Sequence, residues 1–273
     1  MDRIRNAGKI ASARVHPLVV RLVLLAVLVL VGVLNGHNVG YFALSMEQHR
    51  FARFFFTVAA HSGHAGAQNN LAGMYAAGLG GARDTASAAR WYERAARQGV
   101  AEAQFNLSNL YESGDGVTRN TGRAVQLLEE AATAGDVLAA FNLGNILATG
   151  RDDYPKDTER AVRWYRAAAE QGYASAQYNL GALYAQGKDV AQDLPQAALW
   201  FSKAASQDHA KAQMDYGSML AFGVGVDRQF VPGIELLRRA EKHPQTRAES
   251  TARIGVACSS TRDTSELAVC PLR

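Results

Sequence analysis

The sequence predicts an all-α chain: a solenoid of helix-turn-helix repeats preceded by one transmembrane helix. Three observations carry this expectation. A short motif returns five times, at Ala67-Gln68-Asn69-Asn70-Leu71, Ala103-Gln104-Phe105-Asn106-Leu107, Ala139-Ala140-Phe141-Asn142-Leu143, Ala176-Gln177-Tyr178-Asn179-Leu180 and Ala212-Gln213-Met214-Asp215-Tyr216. Positions 68, 104, 140, 177 and 213 are spaced 36, 36, 37 and 36 apart, a period at which each unit buries its apolar face against its neighbours. Ahead of the array, Leu18 to Leu34 is apolar except for Arg21.

The elements follow in chain order. Residues 1–17 form a basic segment, with Arg3, Arg5, Lys9 and Arg14 opposed only by Asp2. The apolar run 18–34, at 1.5 Å per residue, spans about 26 Å, close to the thickness of a bilayer core. Its basic flank places the N-terminus in the cytoplasm and the remainder in the periplasm, with residues 18–34 as an inner-membrane anchor. A cleaved signal peptide is the competing expectation; Asn35-Gly36-His37-Asn38 offers it no small-residue cleavage site. Residues 35–44 read as a linker. Residues 45–63 read as a capping half-repeat: a lone second helix, Ser45 to His61, whose first helix is absent.

The repeats divide as 64–99, 100–135, 136–172, 173–208 and 209–243. Each opens with a helix such as Ala65 to Ala77, which places Ala67, Leu71, Met74 and Tyr75 at helical spacing. A glycine turn follows, as at Gly78 or Gly223. The second helix starts after a capping side chain, at Asp84, Asn120, Asp157 and Asp193. It carries a bulky doublet, Trp91-Tyr92, Leu127-Leu128, Trp164-Tyr165, Trp200-Phe201 and Leu236-Leu237, and then a small pair such as Ala95-Ala96. Bulky residues facing small ones let antiparallel helices approach closely.

This pattern resembles the Sel-one-like repeat, a relative of the tetratricopeptide repeat. Ala174-Ser175-Ala176-Gln177-Tyr178-Asn179-Leu180-Gly181 through Gly187 fits the family pattern almost position for position. The resemblance implies a right-handed α/α superhelix used as an adaptor, often in bacterial envelope or signalling assemblies. The fifth repeat departs from it, with Asp215-Tyr216 for Asn-Leu and Gln229 for the capping Asp. Related proteins assigned cell-wall activity carry cysteine pairs within each repeat, which this chain lacks.

Composition narrows the function classes. The chain carries 29 Lys and Arg against 25 Asp and Glu. Residues 1–34 hold five of the bases and one of the acids, leaving 24 of each in the folded part. The basic pI is therefore a property of the membrane flank, and no nucleic-acid partner is expected. No catalytic motif, phosphate loop or metal-ligand spacing occurs, so no catalytic residue, cofactor, metal or small-molecule substrate is expected. Gly78 to Gly81 lies between helices, and His61 and His64 read as turn residues.

The expected work is that of a non-catalytic interaction scaffold, an adaptor or regulator of an envelope complex or signalling pathway. A structural subunit of a polysaccharide export or secretion machine is one alternative; a cell-wall hydrolase is another. The partner, a protein or peptide, is expected on the concave face. Candidate contacts are the first-helix residues that vary between repeats: Asn69, Phe105, Phe141, Tyr178 and Met214. Asn70, Asn106, Asn142 and Asn179 recur identically and read as structural amides that satisfy backbone groups. Phe51 and Phe54 replace residues that are mostly polar in later repeats. They are expected either near the membrane or packed in place of the absent first helix. Residues 244–273 read as a capping helix, Gln245 to Ala257, and a tail that stays loose unless tied back by a disulfide between Cys258 and Cys270.

Overall fold

The computed structural model describes residues 36–41, 43–45, 47–151 and 153–270. The expected basic segment 1–17 and transmembrane helix 18–34 lie outside these residues. Among the described residues no helix is long and apolar enough to cross a membrane, and there is no strand beyond an isolated Arg151–Tyr154 bridge. Two compact units divide the chain, residues 1–100 and 101–273.

In the first unit, residues 36–41 and 43–45 are helical. Three helices follow: α1 (His49–His61), α2 (Ala65–Ala77) and α3 (Thr85–Ala96). The second unit holds α4 (Ala101–Ser113), α5 (Thr121–Thr133), α6 (Val137–Thr149), α7 (Thr158–Glu170), α8 (Ala174–Gln186), α9 (Leu194–Ala205), α10 (Ala210–Phe222), α11 (Phe230–Glu241), α12 (Arg247–Ser260) and α13 (Thr264–Leu267). The helices pair as hairpins: α2 with α3, α4 with α5, α6 with α7, α8 with α9 and α10 with α11.

Local chemistry sets the hairpin boundaries. Asp84, Asn120, Asp157 and Asp193 accept from the backbone N–H of Ser87, Arg123, Arg160 and Gln196 at 2.9, 2.9, 3.0 and 2.9 Å, an interaction worth about 1 kcal/mol per helix start. Gln229 of the fifth repeat makes no side-chain cap. Gly78, Gly187 and Gly223 end first helices in the left-handed conformation, at φ of 70°, 62° and 71°.

In the third and fourth repeats the hairpin closes with a glycine of the first helix under an aromatic of the second. A Cβ at Gly144 would stand 2.6 Å from the Tyr165 ring, and one at Gly181 would stand 2.8 Å from Phe201. No side chain fits at such separations. Leu71, Leu107, Leu143 and Leu180, one in each of the first four repeats, are fully buried on the first helices.

The N-terminal half-repeat differs from expectation. Its second helix is not alone, because residues 36–41 and 43–44, within the stretch 35–44 expected as linker, are helical and pack on α1 through Gly40. A Cβ at Gly40 would stand 2.6 Å from Phe56, the relation of Gly181 to Phe201. The local sequence explains this: His37-Asn38-Val39-Gly40 matches Tyr178-Asn179-Leu180-Gly181 in chemical type. The connection to α1 is four residues shorter than in that repeat, which hides the match from a search at a fixed period. His37 stacks on His64 at 4.2 Å, as Phe141 packs on Tyr173 at 4.9 Å and Tyr178 on His209 at 4.8 Å.

At three of the junctions between successive elements the joint is a buried glutamine, while Ala140 stands at this position in the third repeat. Gln68, Gln177 and Gln213 donate from Nε2 to the carbonyls of Ala60, Ala169 and Ala205, eight residues back, at 3.1, 3.0 and 3.5 Å. Gln98 and Gln207 in turn donate to Gln68 and Gln177 at 2.7 and 2.8 Å. The backbone-satisfying role expected of the recurrent asparagines therefore belongs to these glutamines. Asn179 instead donates to the side chain of Asn145 at 3.2 Å, and Asn145 also accepts from Tyr165 Oη at 2.7 Å.

The C-terminal segment is tied down. Ile254 and Ala257 of α12 are buried with Met214, Phe230, Ile234 and Leu237. Cys258 and Cys270 form a disulfide with Cα atoms 5.8 Å apart. The loop it closes is worth about 3 kcal/mol in the chain-entropy description. Arg228 donates to both carboxylate oxygens of Glu266 at 2.7 Å, and Arg238 donates to the Val269 carbonyl at 2.6 Å.

Gln177→Met keeps the volume but removes both the bond to Ala169 and the acceptor for Gln207. It should lower stability to denaturant by about 1–2 kcal/mol, whereas Gln126→Met on the exposed face of α5 should change it by less than about 0.5 kcal/mol. Urea titration followed by circular dichroism measures both.

Candidate functional site

A cavity that combines apolar and polar groups lies in the second unit, between α8, α9, α10 and α12. It measures about 350 Å³, and its apolar walls include Ala182, Leu194, Phe201, Met219, Phe222 and Val224. Its polar wall is Tyr178, Asp215, Ser218 and Arg253. Phe222 and Val224 stand 40% and 43% exposed at its rim. A pocket of this size and composition matches sites that take a single bulky apolar group and fix it with a few polar atoms.

Each polar residue comes from a different level of the sequence. Tyr178 is the variable position of the fourth first helix. Asp215 is the fifth repeat's departure from the recurrent asparagine, one repeat beyond Asn179. Arg253 lies outside the repeats, on the capping helix. The fold brings them together: Tyr178 Oη donates to Asp215 Oδ2 at 3.2 Å, and Arg253 Nη1 donates to Asp215 Oδ1 and to Ser218 Oγ at 2.9 Å each. Arg253 Nη2 donates to Glu249 at 2.5 Å.

The electrostatics hold this set in one protonation state near neutrality. Burial, and then the charge of Asp215, push the Tyr178 phenol up to about 12. Burial opposes the charge on Arg253, but the hydrogen bond to Glu249 and the charge of Asp215 outweigh it and raise its pKa above the ordinary guanidinium value. Burial, then the charge of Lys211, lowers the pKa of His209, whose ring stacks on Tyr178. Ser218 donates to the Met214 carbonyl at 2.9 Å and faces the guanidinium, so no base activates it. The arrangement can hold a ligand group rather than move a proton.

The other expected contacts occupy different places. Asn69 and Met214 are buried, at 6% and 5% exposure. Phe105 and Phe141 are half-buried against the core, and Phe141 closes on Tyr173. In the third and fourth repeats this position packs on the residue that opens the next first helix, Tyr173 and His209. Of the five, only Tyr178 lines the cavity. Phe51 and Phe54 are 62% and 48% exposed, so the packed alternative for them does not hold. His61 bonds the Thr57 carbonyl at 2.8 Å, while His64 caps α2, so the two histidines do separate work. Among the described residues no group of three or more His, Cys, Asp or Glu is placed to hold a metal ion.

Sequence reasoning missed Arg253, Ser218 and the glutamine joints. A signal for the first existed. An aspartate replacing a recurrent asparagine at a half-buried position calls for a cation, and the capping helix supplies few.

Comparison with known proteins places these features. The Sel1 repeat matches five times, at residues 65–100, 101–136, 137–173, 174–209 and 210–243. The crystal structure of a Sel1 repeat protein from Oxalobacter formigenes aligns at 26% identity over 84% of this chain and 95% of its own, with a TM-score of 0.67. That of c5321, a protective antigen present in uropathogenic Escherichia coli strains, aligns at 26% identity over 81% of this chain and 62% of its own, with a TM-score of 0.35. The immunity protein Pa5087 from Pseudomonas aeruginosa aligns at 20% identity over 70% of this chain and 73% of its own, with a TM-score of 0.41. No curated protein sequence matches.

Acid should loosen the site through His209. Its Nδ1 accepts from the Ala212 N–H at 3.3 Å as the cap of α10, which the protonated ring cannot do. Its folded pKa lies below the ordinary value near 6.5. The stability it contributes is therefore full above about pH 6.5 and lost as pH falls below it. His209→Asn keeps a capping acceptor without a titrating group and should flatten the thermal-denaturation profile between about pH 6.5 and 5.

Proposed function

The chain belongs to the Sel1 repeat family, and from that premise we propose that it is a non-catalytic adaptor of an envelope complex, docking a protein partner in the cleft between α8, α10 and α12. Sel1 repeat proteins generally mediate protein–protein interaction, and the fold is typically a non-catalytic scaffold. The observation that carries the reading is the combination of an open apolar cavity with a fully paired Tyr178–Asp215–Arg253 wall. The wall is preorganised, so binding costs the scaffold little ordering. The occupant is a peptide segment of the partner presenting one bulky apolar side chain to Met219 and Phe222.

In this reading the apolar run 18–34 holds the chain in the inner membrane, with the repeats on the periplasmic side. The basic residues at 3, 5, 9 and 14 support that orientation. The Cys258–Cys270 disulfide suits an oxidising compartment.

A photo-crosslinking residue at Phe222 or Val224 should trap one protein partner in intact cells. Met219→Glu, which puts a charge in the cavity, should reduce the yield at least about tenfold. Equal yields with and without Met219→Glu would count against the cleft as the docking site. Protease added to cells whose outer barrier has been opened should digest the repeats while a cytosolic control stays intact. Protection equal to the control would refute the periplasmic placement.

A further inference from the structure

Among the described residues of the first unit, three large apolar side chains are exposed: Phe51 at 62%, and Phe54 and Tyr41 at 48% each. Internal comparison shows how unusual Phe54 is. Its counterparts in the five repeats are Arg90, Gln126, Arg163, Leu199 and Glu235, and each of them is exposed. The fold therefore presents this position to the surroundings every time, and only in α1 is the residue aromatic. Phe51 lies three residues earlier, on the same face of the helix. Its counterparts Ser87, Arg123, Arg160, Gln196 and Pro232 include no aromatic.

Core packing does not account for the pair. The inward face of α1 is filled by Ala52, Phe56, Ala59 and Ala60, all buried. The helical residues 36–41 already lie against that face, with Gly40 against Phe56. Among the described residues Phe54 meets one other ring, that of its neighbour Phe55, at 5.4 Å. Arg50, exposed beside Phe51, adds a cation next to the aromatic surface.

What lies upstream says what covers this face. The apolar run ends at Leu34, and helix is already present at residue 36. On the reading that the run 18–34 meets the membrane, the lipid surface lies within a few residues of this unit. Aromatic rings are favoured at the headgroup level, where an apolar body and a polar surrounding coexist. A neighbouring arginine can reach lipid phosphates. We propose that Phe51 and Phe54, with Arg50, form an interfacial contact that lays the first unit against the outer surface of the same membrane. The occupant is lipid, and the contact fixes the direction in which the repeats leave the bilayer.

The test uses the full chain, reconstituted in vesicles of phosphatidylethanolamine and phosphatidylglycerol. Phe51→Cys and Phe54→Cys carry an environment-sensitive fluorophore. Leu199→Cys, the counterpart of position 54 in the fourth repeat and itself 45% exposed, serves as control. The two native cysteines are bonded to each other. A nitroxide on the lipid chains near the headgroup should quench labels at 51 and 54 at least twofold more than at 199, and aqueous iodide should show the reverse order. Equal quenching at all three positions, with the chain still floating with vesicles after alkali, overturns the contact and leaves the anchor reading intact. A chain that alkali strips from the vesicles overturns both. Shielding from iodide without lipid quenching, accompanied by a crosslink between two copies at position 54, assigns the face to a second copy and overturns the lipid contact.

Discussion

Close approach of paired helices is the constraint from which the rest follows. Each hairpin needs a first helix thin enough for an aromatic or leucine of the second helix to rest on its backbone. Gly144 under Tyr165 and Gly181 under Phe201 satisfy it directly. In the fifth repeat the second helix carries leucines, and glycine appears on both sides: a Cβ at Gly233 would stand 2.6 Å from the Gly217 carbonyl. Smaller side chains on one helix are offset by a missing one on the other, so the separation stays short and no void opens. Burial of one first-helix leucine in each of the first four repeats presupposes that separation.

The glutamines convert a stack of hairpins into a cooperative array. A buried amide is costly unless paired, so Gln177 holds its place only when the end of the preceding hairpin presents Ala169 O and the following turn presents Gln207. Three successive segments thus specify one side chain. The same logic at higher charge builds the cleft. Asp215 is acceptable at a half-buried position because Tyr178 and Arg253 occupy both its oxygens. The docking wall and the attachment of the capping helix are therefore one structure.

What was legible in the sequence was local. Caps at Asp84, Asn120, Asp157 and Asp193, the glycine stops and the bulky-small alternation act within a few residues, and the chain displays them at a fixed period. The disulfided tail was legible as an option that the spacing of Cys258 and Cys270 allows. The helical residues 36–41 and 43–45 were not, because their connection to α1 is short and their glycines resemble a linker until Phe56 is seen above Gly40. Asn69 and Met214 were misjudged for a related reason. Variation along a first helix looks like ligand specificity, but Asn69 and Met214 are buried, and Phe141 and Tyr178 pack on the residue that opens the next repeat. Arg253 reaches Asp215 across 38 residues, and no periodic argument extends beyond the last repeat.

The features that set this chain apart from a bare repeat array sit at its two termini, and packing explains why. A residue inside the array is confined by its own hairpin and by neighbours before and after it, so Leu143 and Leu180 leave no latitude for change. A terminal element answers to one side only. The first full hairpin is preceded by α1, whose outward face carries Phe51 and Phe54 where later repeats keep polar or mixed residues. The last is followed by α12, which contributes Arg253 and the disulfide. Selection for a partner or a surface can act at such positions without disturbing the repeat interior. The interior then fixes how far apart and in what order the specialised ends occur along the chain. Lengthening the array by one repeat would leave both ends chemically intact while changing the number of hairpins between them.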